Sequence, residues 1–201
     1  MMSSVVLLGD SLSVGAFSRL HELVPEAEKV ARVGASIGWM ESQLSEVMAR
    51  EPRLVLFMGG VNDLVGASPE TVFKRQKNLA GLLRDVGVPE VAVSTLPPQS
   101  PEDGEGNQRV QAVNQLLRAW RPPAGIRVVD VGSALGVEDV EGDTMGIHPD
   151  AEGYARLGEA WAKVARGEPL ASDSTSTSST SPPFALMALA AVGAALFAFR
   201  K

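Results

Sequence analysis

Apolar residues along most of this chain fall into short continuous runs that alternate with segments of helical spacing. The first run, Val5-Val6-Leu7-Leu8, ends in Gly9-Asp10-Ser11-Leu12-Ser13 and predicts a buried strand running into a tight turn. Val14, Phe17, Leu20 and Leu23/Val24 then recur at helical spacing, with Pro25 just beyond. Lys29 to Val33 alternates loosely and predicts a strand, and Ile37, Met40, Leu44, Val47 and Met48 predict a second amphipathic helix stopped near Pro52. Arg53 to Met58 is a second strong strand, and it runs into Gly59-Gly60-Val61-Asn62-Asp63. Ser68-Pro69-Glu70 opens the next helix, with Ser as N-cap and Pro in the first turn. Its stripe is Val72, Gln76, Leu79, Leu83 and Val86, with Gly87 as terminator.

A further strand spans Val91 to Leu96 and ends at Pro97-Pro98, and Gln99 to Gly106 is the most loop-like part of the domain. Val110, Val113, Leu117 and Trp120 mark a helix, and Ile126 to Val131 a strand. Gly132 to Gly146 is irregular and acidic, and Pro149 to Ala165 returns to helix with Tyr154, Leu157, Trp161 and Val164 on one face. Strands that are continuous apolar runs, alternating with helices, predict a parallel sheet covered on both faces. The expected fold is a three-layer α/β/α sandwich of about five strands, without internal repeats.

The last thirty or so residues break this pattern. Ser172 to Ser181 is nearly all Ser and Thr, Pro182-Pro183 follow, and Phe184 to Phe199 carries no charge before Arg200-Lys201. The expected organisation is a domain over 1–168, a Ser/Thr/Pro-rich linker over 169–183 and a hydrophobic segment over 184–201. At about sixteen residues that segment is slightly under the length of a spanning helix, and membrane attachment through it is the expectation. Terminal Arg-Lys favours a cytoplasmic C-terminus, whereas the start lacks a signal-peptide pattern and favours a cytoplasmic domain, so the side is left open. A formal charge of −6 without Lys/Arg clusters gives no footprint for nucleic acid. The chain has no cysteine and 2 histidines, which removes thiol chemistry and leaves little for a metal. Composition says nothing about oligomeric state.

Chemistry concentrates where strands end. Ser11 stands just past a buried strand, where open α/β sheets place ligands, and the following helix points its N-terminal N–H groups toward it. Ser11 is the candidate nucleophile. His148, in Gly146-Ile147-His148-Pro149-Asp150 at the start of the last domain helix, is the candidate base; His21, near the end of the helix that begins after Ser11, is read as a surface or helix-end residue.

Gly9-Asp10-Ser11-Leu12-Ser13 resembles the first block of the SGNH or GDSL hydrolase family. Gly34, in Arg32-Val33-Gly34-Ala35-Ser36, stands where that family's second block has its oxyanion glycine. Gly60-Val61-Asn62-Asp63 is similar to the third block, Gly-x-Asn-Asp, whose Asn amide is a further oxyanion donor. His148, with Pro149 and Gly153-Tyr154 after it, resembles the last block, whose His is the general base. The resemblance covers Val5 to about Val164. It implies a flavodoxin-like parallel sheet and a serine hydrolase of esterase or deacetylase type. Ser11 and His148 are then catalytic, with the oxyanion held by Ser11, Gly34 and Asn62. The implied substrate is a small-molecule or glycan ester, and no metal or organic cofactor is needed. Asp10 is expected to stabilise the nucleophile turn rather than react.

The chain departs from the family pattern twice. The family usually has Asp three residues before the histidine, where this chain has Met145. Asp143, Asp150 or a backbone carbonyl are the alternatives for orienting His148. The second block lacks the Asn often found ahead of its glycine, and Gly34 is preferred over Gly38 because it directly follows the expected strand. Two other functions therefore stand beside the esterase: a catalytically weak or inactive binding module tethered to a membrane, and an O-acyltransferase using the same residues.

Overall fold

The computed structural model describes residues 4–100, 102–140 and 146–170. Five parallel strands form one sheet in the order β2-β1-β3-β4-β5: β1 Ser4–Gly9, β2 Ala27–Ala31, β3 Pro52–Met58, β4 Glu90–Ser94 and β5 Ile126–Val129. Every residue of β1 is buried, as are nearly all those of β3 and β4, whereas the edge strands β2 and β5 alternate. Parallel sheets enclosed on both faces require this distribution. The helices are α1 Ser11–Leu23, α2 Ile37–Ser42, α3 Leu44–Met48, α4 Pro69–Asp85, α5 Gly104–Ala119 and α6 Ala151–Arg166. α1 packs on α6, and α4 packs on α5 and α2, completing three layers with strand order 2-1-3-4-5. The expected flavodoxin-like sandwich is the observed fold.

Close approach between α1 and α6 is built from small residues. A Cβ added to Gly158 of α6 would lie 2.7 Å from the Ala16 carbonyl oxygen and 2.7 Å from Arg19 Cβ, and one added to Gly15 would overlap the Tyr154 ring. An ion pair from Arg19 to Glu159 at 2.7 Å closes the outer edge of the same contact. Ser11 begins α1 and His148 stands three residues ahead of α6, so this packing bears on their separation.

Several expected boundaries move, among them the end of β4, which falls at Ser94 rather than Leu96. β2 begins and ends two residues earlier than the alternation suggested, because Arg32 to Ala35 forms a turn closed by Ala35 N–H donating to Arg32 O at 3.1 Å. The helix expected from Ile37 to Met48 is two, broken at Gln43, whose N–H donates to Met40 O three residues back. α5 starts at Gly104, inside the segment expected to be loop, with Asp103 as N-cap accepting from Gly106 N–H at 2.8 Å. β5 stops at Val129, and two 3₁₀ turns, Val131–Ala134 and Val137–Val140, follow. On α1 the buried stripe is Leu12, Ala16 and Leu20; Val14 and Phe17 are half-buried beside it. The linker and apolar segment expected after residue 168 lie almost wholly outside the described residues. Among the described residues no helix is long and apolar enough to cross a membrane.

Candidate active site

The sheet register aligns Gly9 of β1 with Ala31 of β2 and Met58 of β3, so the loops leaving these strands emerge side by side. They meet where the strand order reverses direction, at the carboxyl edge of β1 and β3, the crevice that open α/β sheets use for ligands. Gly9 is required there by close approach: a Cβ would overlap Ser13 Oγ and sit 2.6 Å from the Met58 carbonyl.

Asp10 is the N-cap of α1, its Oδ1 accepting from Leu12 N–H at 3.1 Å, which holds Ser11 at the first position of the helix. This is the turn-stabilising role expected for it. Its carboxyl is enclosed, and Oδ2 meets no hydrogen-bond donor. Burial, reinforced by the charge of Asp63, pushes its pKa up to about 7 against the opposing backbone hydrogen bonds.

Ser11 Oγ lies 3.0 Å from His148 Nε2, although 137 residues separate them. The loop carrying His148 is fastened on both sides. Ser100 N–H donates to Gly146 O at 2.7 Å, Asp150 N–H donates to Asp139 O at 3.3 Å, and Arg156 of α6 pairs with Asp139. Asp150 caps α6, its Oδ1 accepting from Gly153 N–H at 2.7 Å, so it serves the helix directly after the histidine. Met145 and Asp143 lie outside the described residues. His21 is an exposed residue near the end of α1, its ring stacked on Phe17 and its Nδ1 3.0 Å from Ala27 O.

Two hydrogen bonds join the remaining loops. Asn62 Nδ2 donates to Ala35 O at 3.0 Å, and Ile37 N–H donates to Asp63 Oδ2 at 2.9 Å. The Gly34 turn and the Asn62 turn are thereby one unit. Gly34 itself lies three residues past β2 rather than directly after it, at φ +71°, a left-handed conformation that L side chains adopt with strain. Asp63 is the residue whose role the sequence left unread. Its side chain is 1% exposed and receives Arg75 Nη1 of α4 at 2.8 Å on the other oxygen. Gln76, at a core position on the α4 stripe, donates to Gly59 O at 2.9 Å and fixes the start of the same turn. A polar residue on an apolar stripe was the available signal.

The arrangement supplies a hydroxyl in contact with an imidazole at a helix N-terminus, and, on the turn after β3, a side-chain amide oriented by its bond to Ala35 O. That is the equipment for nucleophilic attack on a carbonyl and for holding the negative oxygen that results. Among the described residues no group of three or more His, Cys, Asp or Glu is placed to hold a metal ion.

A sequence model of the GDSL-like lipase/acylhydrolase family matches residues 7–156. No curated protein matches the chain. Among solved structures, a lipase from a goat rumen metagenome superposes with TM-score 0.68 at 18% identity, covering 84% of this chain and 99% of the other. A carbohydrate esterase family 3 protein from Talaromyces cellulolyticus gives 0.67 at 18%, covering 83% and 97%. The C-terminal catalytic domain of a peptidoglycan O-acetyltransferase from Streptococcus pneumoniae gives 0.62 at 18%, covering 83% and 96%. At such identities these likenesses concern the fold.

Proposed function

The chain belongs to the GDSL-like lipase/acylhydrolase family, and from that premise we propose that it is a serine esterase working through an acyl-enzyme on Ser11. The observation that carries the reading is the 3.0 Å contact between Ser11 Oγ and His148 Nε2. Ser11 Oγ attacks the ester carbonyl as its proton passes to His148 Nε2. The same proton then goes to the departing alcohol, and a water activated by His148 releases the acid. The tetrahedral oxygen is held by the backbone N–H groups of Ser11 and Gly34 and by Asn62 Nδ2. One amide hydrogen of Asn62 is committed to Ala35 O, which orients the group, and the second is the donor. These steps use the protein's own groups, and the substrate is a small-molecule or glycan ester.

4-Nitrophenyl acetate hydrolysis tests this. Wild type is expected to turn over, and Ser11→Ala to lose about 10³-fold or more in kcat. Equal background rates in the two proteins would leave a binding module in place of the enzyme. Acyl transfer to a sugar hydroxyl uses the same acyl-enzyme, and the solved O-acetyltransferase domain gives that outcome a precedent on this fold. Adding a sugar acceptor to the assay separates the two, since a transferase forms acetylated sugar at the expense of acetate. We place the enzyme at a membrane through the apolar segment Phe184 to Phe199, on the strength of its composition.

A further inference from the structure

The two turns assigned to the oxyanion are joined twice, by adjacent residues of the Asn62 turn. Asn62 Nδ2 donates to Ala35 O at 3.0 Å, and Asp63 Oδ2 accepts from Ile37 N–H at 2.9 Å. These bonds grip the chain just after Gly34. The second of them depends on where the Asp63 carboxyl group sits. That side chain is 1% exposed, and its other oxygen, Oδ1, is met by Arg75 Nη1 at 2.8 Å.

Arg75 reaches this buried group from the surface, its own side chain being 49% exposed. It lies on α4, which folds back so that its first turns meet the turn that the chain has just left. Gln76, the next residue, donates to Gly59 O at 2.9 Å, and a Cβ on Gly60 would lie 2.8 Å from Val72 Cγ1. Val72 and Gln76 thus fix the start of the turn, and Arg75 fixes its end. An ion pair with both partners in water contributes little. Here one partner is enclosed, and removing the cation leaves a carboxylate oxygen out of water without a donor. The carboxyl group then moves toward solvent and releases Ile37 N–H.

We propose that Arg75 is a positioning residue: acting through Asp63, it holds the Gly34 and Asn62 turns in the mutual geometry that the oxyanion requires. Oxyanion donors act only within about 2.7–3.1 Å of the developing charge, and a misplacement of about 1 Å can cost on the order of 10²-fold in rate. The contact is made through one nitrogen, so the point charge of a lysine can replace it, although a lysine cannot replace a bidentate arginine. The loss belongs in kcat, because the oxygen that these turns hold is negative only after attack. This kinetic consequence rests on the esterase reading; the positioning of the two turns does not.

The test compares wild type, Arg75→Met and Arg75→Lys as full chains in 4-nitrophenyl acetate hydrolysis, with urea midpoints to establish that each is folded. Arg75→Met is expected to lose about tenfold or more in kcat with KM within about twofold, and Arg75→Lys to recover to within about threefold of wild type. Lys74→Met, which removes a charge from the exposed neighbouring position, leaves both parameters unchanged. In the double variant with Asn62→Ala, the combined loss is smaller than the product of the single losses by about fivefold or more, because both act on the same transition-state contact. If Arg75→Met does not fold, Arg75→Gln takes its place with the same expectation. An unchanged kcat, a loss confined to KM, a loss that lysine does not restore, or losses that simply multiply overturns the proposal. NMR of the ¹⁵N-labelled proteins needs no hydrolysis: the Gly34 and Ile37 backbone amides and the Asn62 side-chain amide shift in Arg75→Met and return in Arg75→Lys. A wild type that does not hydrolyse the ester ends the esterase reading, whereas signals unmoved in Arg75→Met end this one.

Discussion

Asp10 carries an ionisable group into the tightest part of the molecule, one residue from the nucleophile. Its folded-state pKa is raised from 3.8 to about 7, so between those values the folded chain keeps a proton that the unfolded chain has lost. Stability linked to this residue is therefore fully present below pH 3.8 and declines as pH rises toward and through 7, a total on the order of a few kcal/mol. Asp10→Asn keeps an oxygen acceptor for Leu12 N–H and removes the titration. The expected result is a variant whose urea midpoint, relative to wild type, rises steadily from pH 4.5 to pH 8. A difference that stays constant across that range would mean that Asp10 does not hold its proton in the fold. Asn62 makes the complementary case for activity. Its bond to Ala35 O contributes about 1 kcal/mol to stability, while the proposed oxyanion contact acts only in the transition state. Asn62→Ala should lower kcat toward 4-nitrophenyl acetate by about 10²–10³-fold and leave KM within a few fold. A change confined to KM would assign Asn62 to substrate binding instead.

At the scale of elements, the α1–α6 contact determines whether Ser11 and His148 meet. Gly158→Val forces a side chain into a position 2.7 Å from Ala16 O and Arg19 Cβ, and the helices must separate. A loss of about 1–3 kcal/mol is expected from such overpacking, measured by urea unfolding, with kcat/KM falling as well because the two residues sit at the ends of these helices. Gly81→Ala on α4, where a Cβ would meet nothing within 4 Å, is the matching control. It should gain about 0.4–1 kcal/mol and leave kcat/KM alone.

The same elements show what a reader of the sequence can and cannot see. β1 and β3 are legible because burial on both faces leaves an unbroken apolar run, and so is the serine turn that β1 enters. Ser68 and Pro69 announce α4 because capping is local chemistry. β2 is misplaced because Arg32 and Val33 have strand-like side chains, yet Val33 is 66% exposed in a turn whose shape comes from long-range bonds to the Asn62 loop. Nothing in Gln43-Leu44 signals the break between α2 and α3, since both are ordinary helix residues. Of the support given by Asp63, Arg75 and Gln76 only the polar Gln76 on an apolar stripe left a trace, because each bond joins residues from different elements and single-sequence periodicity carries no such pairing.

Taken as a whole, the molecule brings its chemistry to one end of the sheet, and among the described residues its core extends to Leu170, which is 7% exposed and packed with the helices and strands described above. The described contacts of this site join α1, the Asn62 turn and the loop before α6: Asp10 to Leu12 N–H, Asn62 to Ala35 O and His148 to Ser11. Residues Ala171 to Lys201 carry the Ser/Thr tract and the uncharged segment from Phe184 to Phe199. If the segment is an anchor, its removal changes location and not catalysis. A chain ending at Leu170 should therefore unfold in urea with the midpoint of the full chain and hydrolyse 4-nitrophenyl acetate with kcat/KM within about twofold. On cell fractionation it should move from the membrane pellet to the supernatant, because sixteen or so uncharged residues are what would partition into the bilayer. Recovery of the full chain in the supernatant would remove the anchor, and loss of the unfolding transition on truncation would make the tail part of the fold. The cut belongs after Leu170 and not before it, since exposing that side chain alone costs about 1.5–3 kcal/mol and would confuse a packing defect with the loss of an anchor.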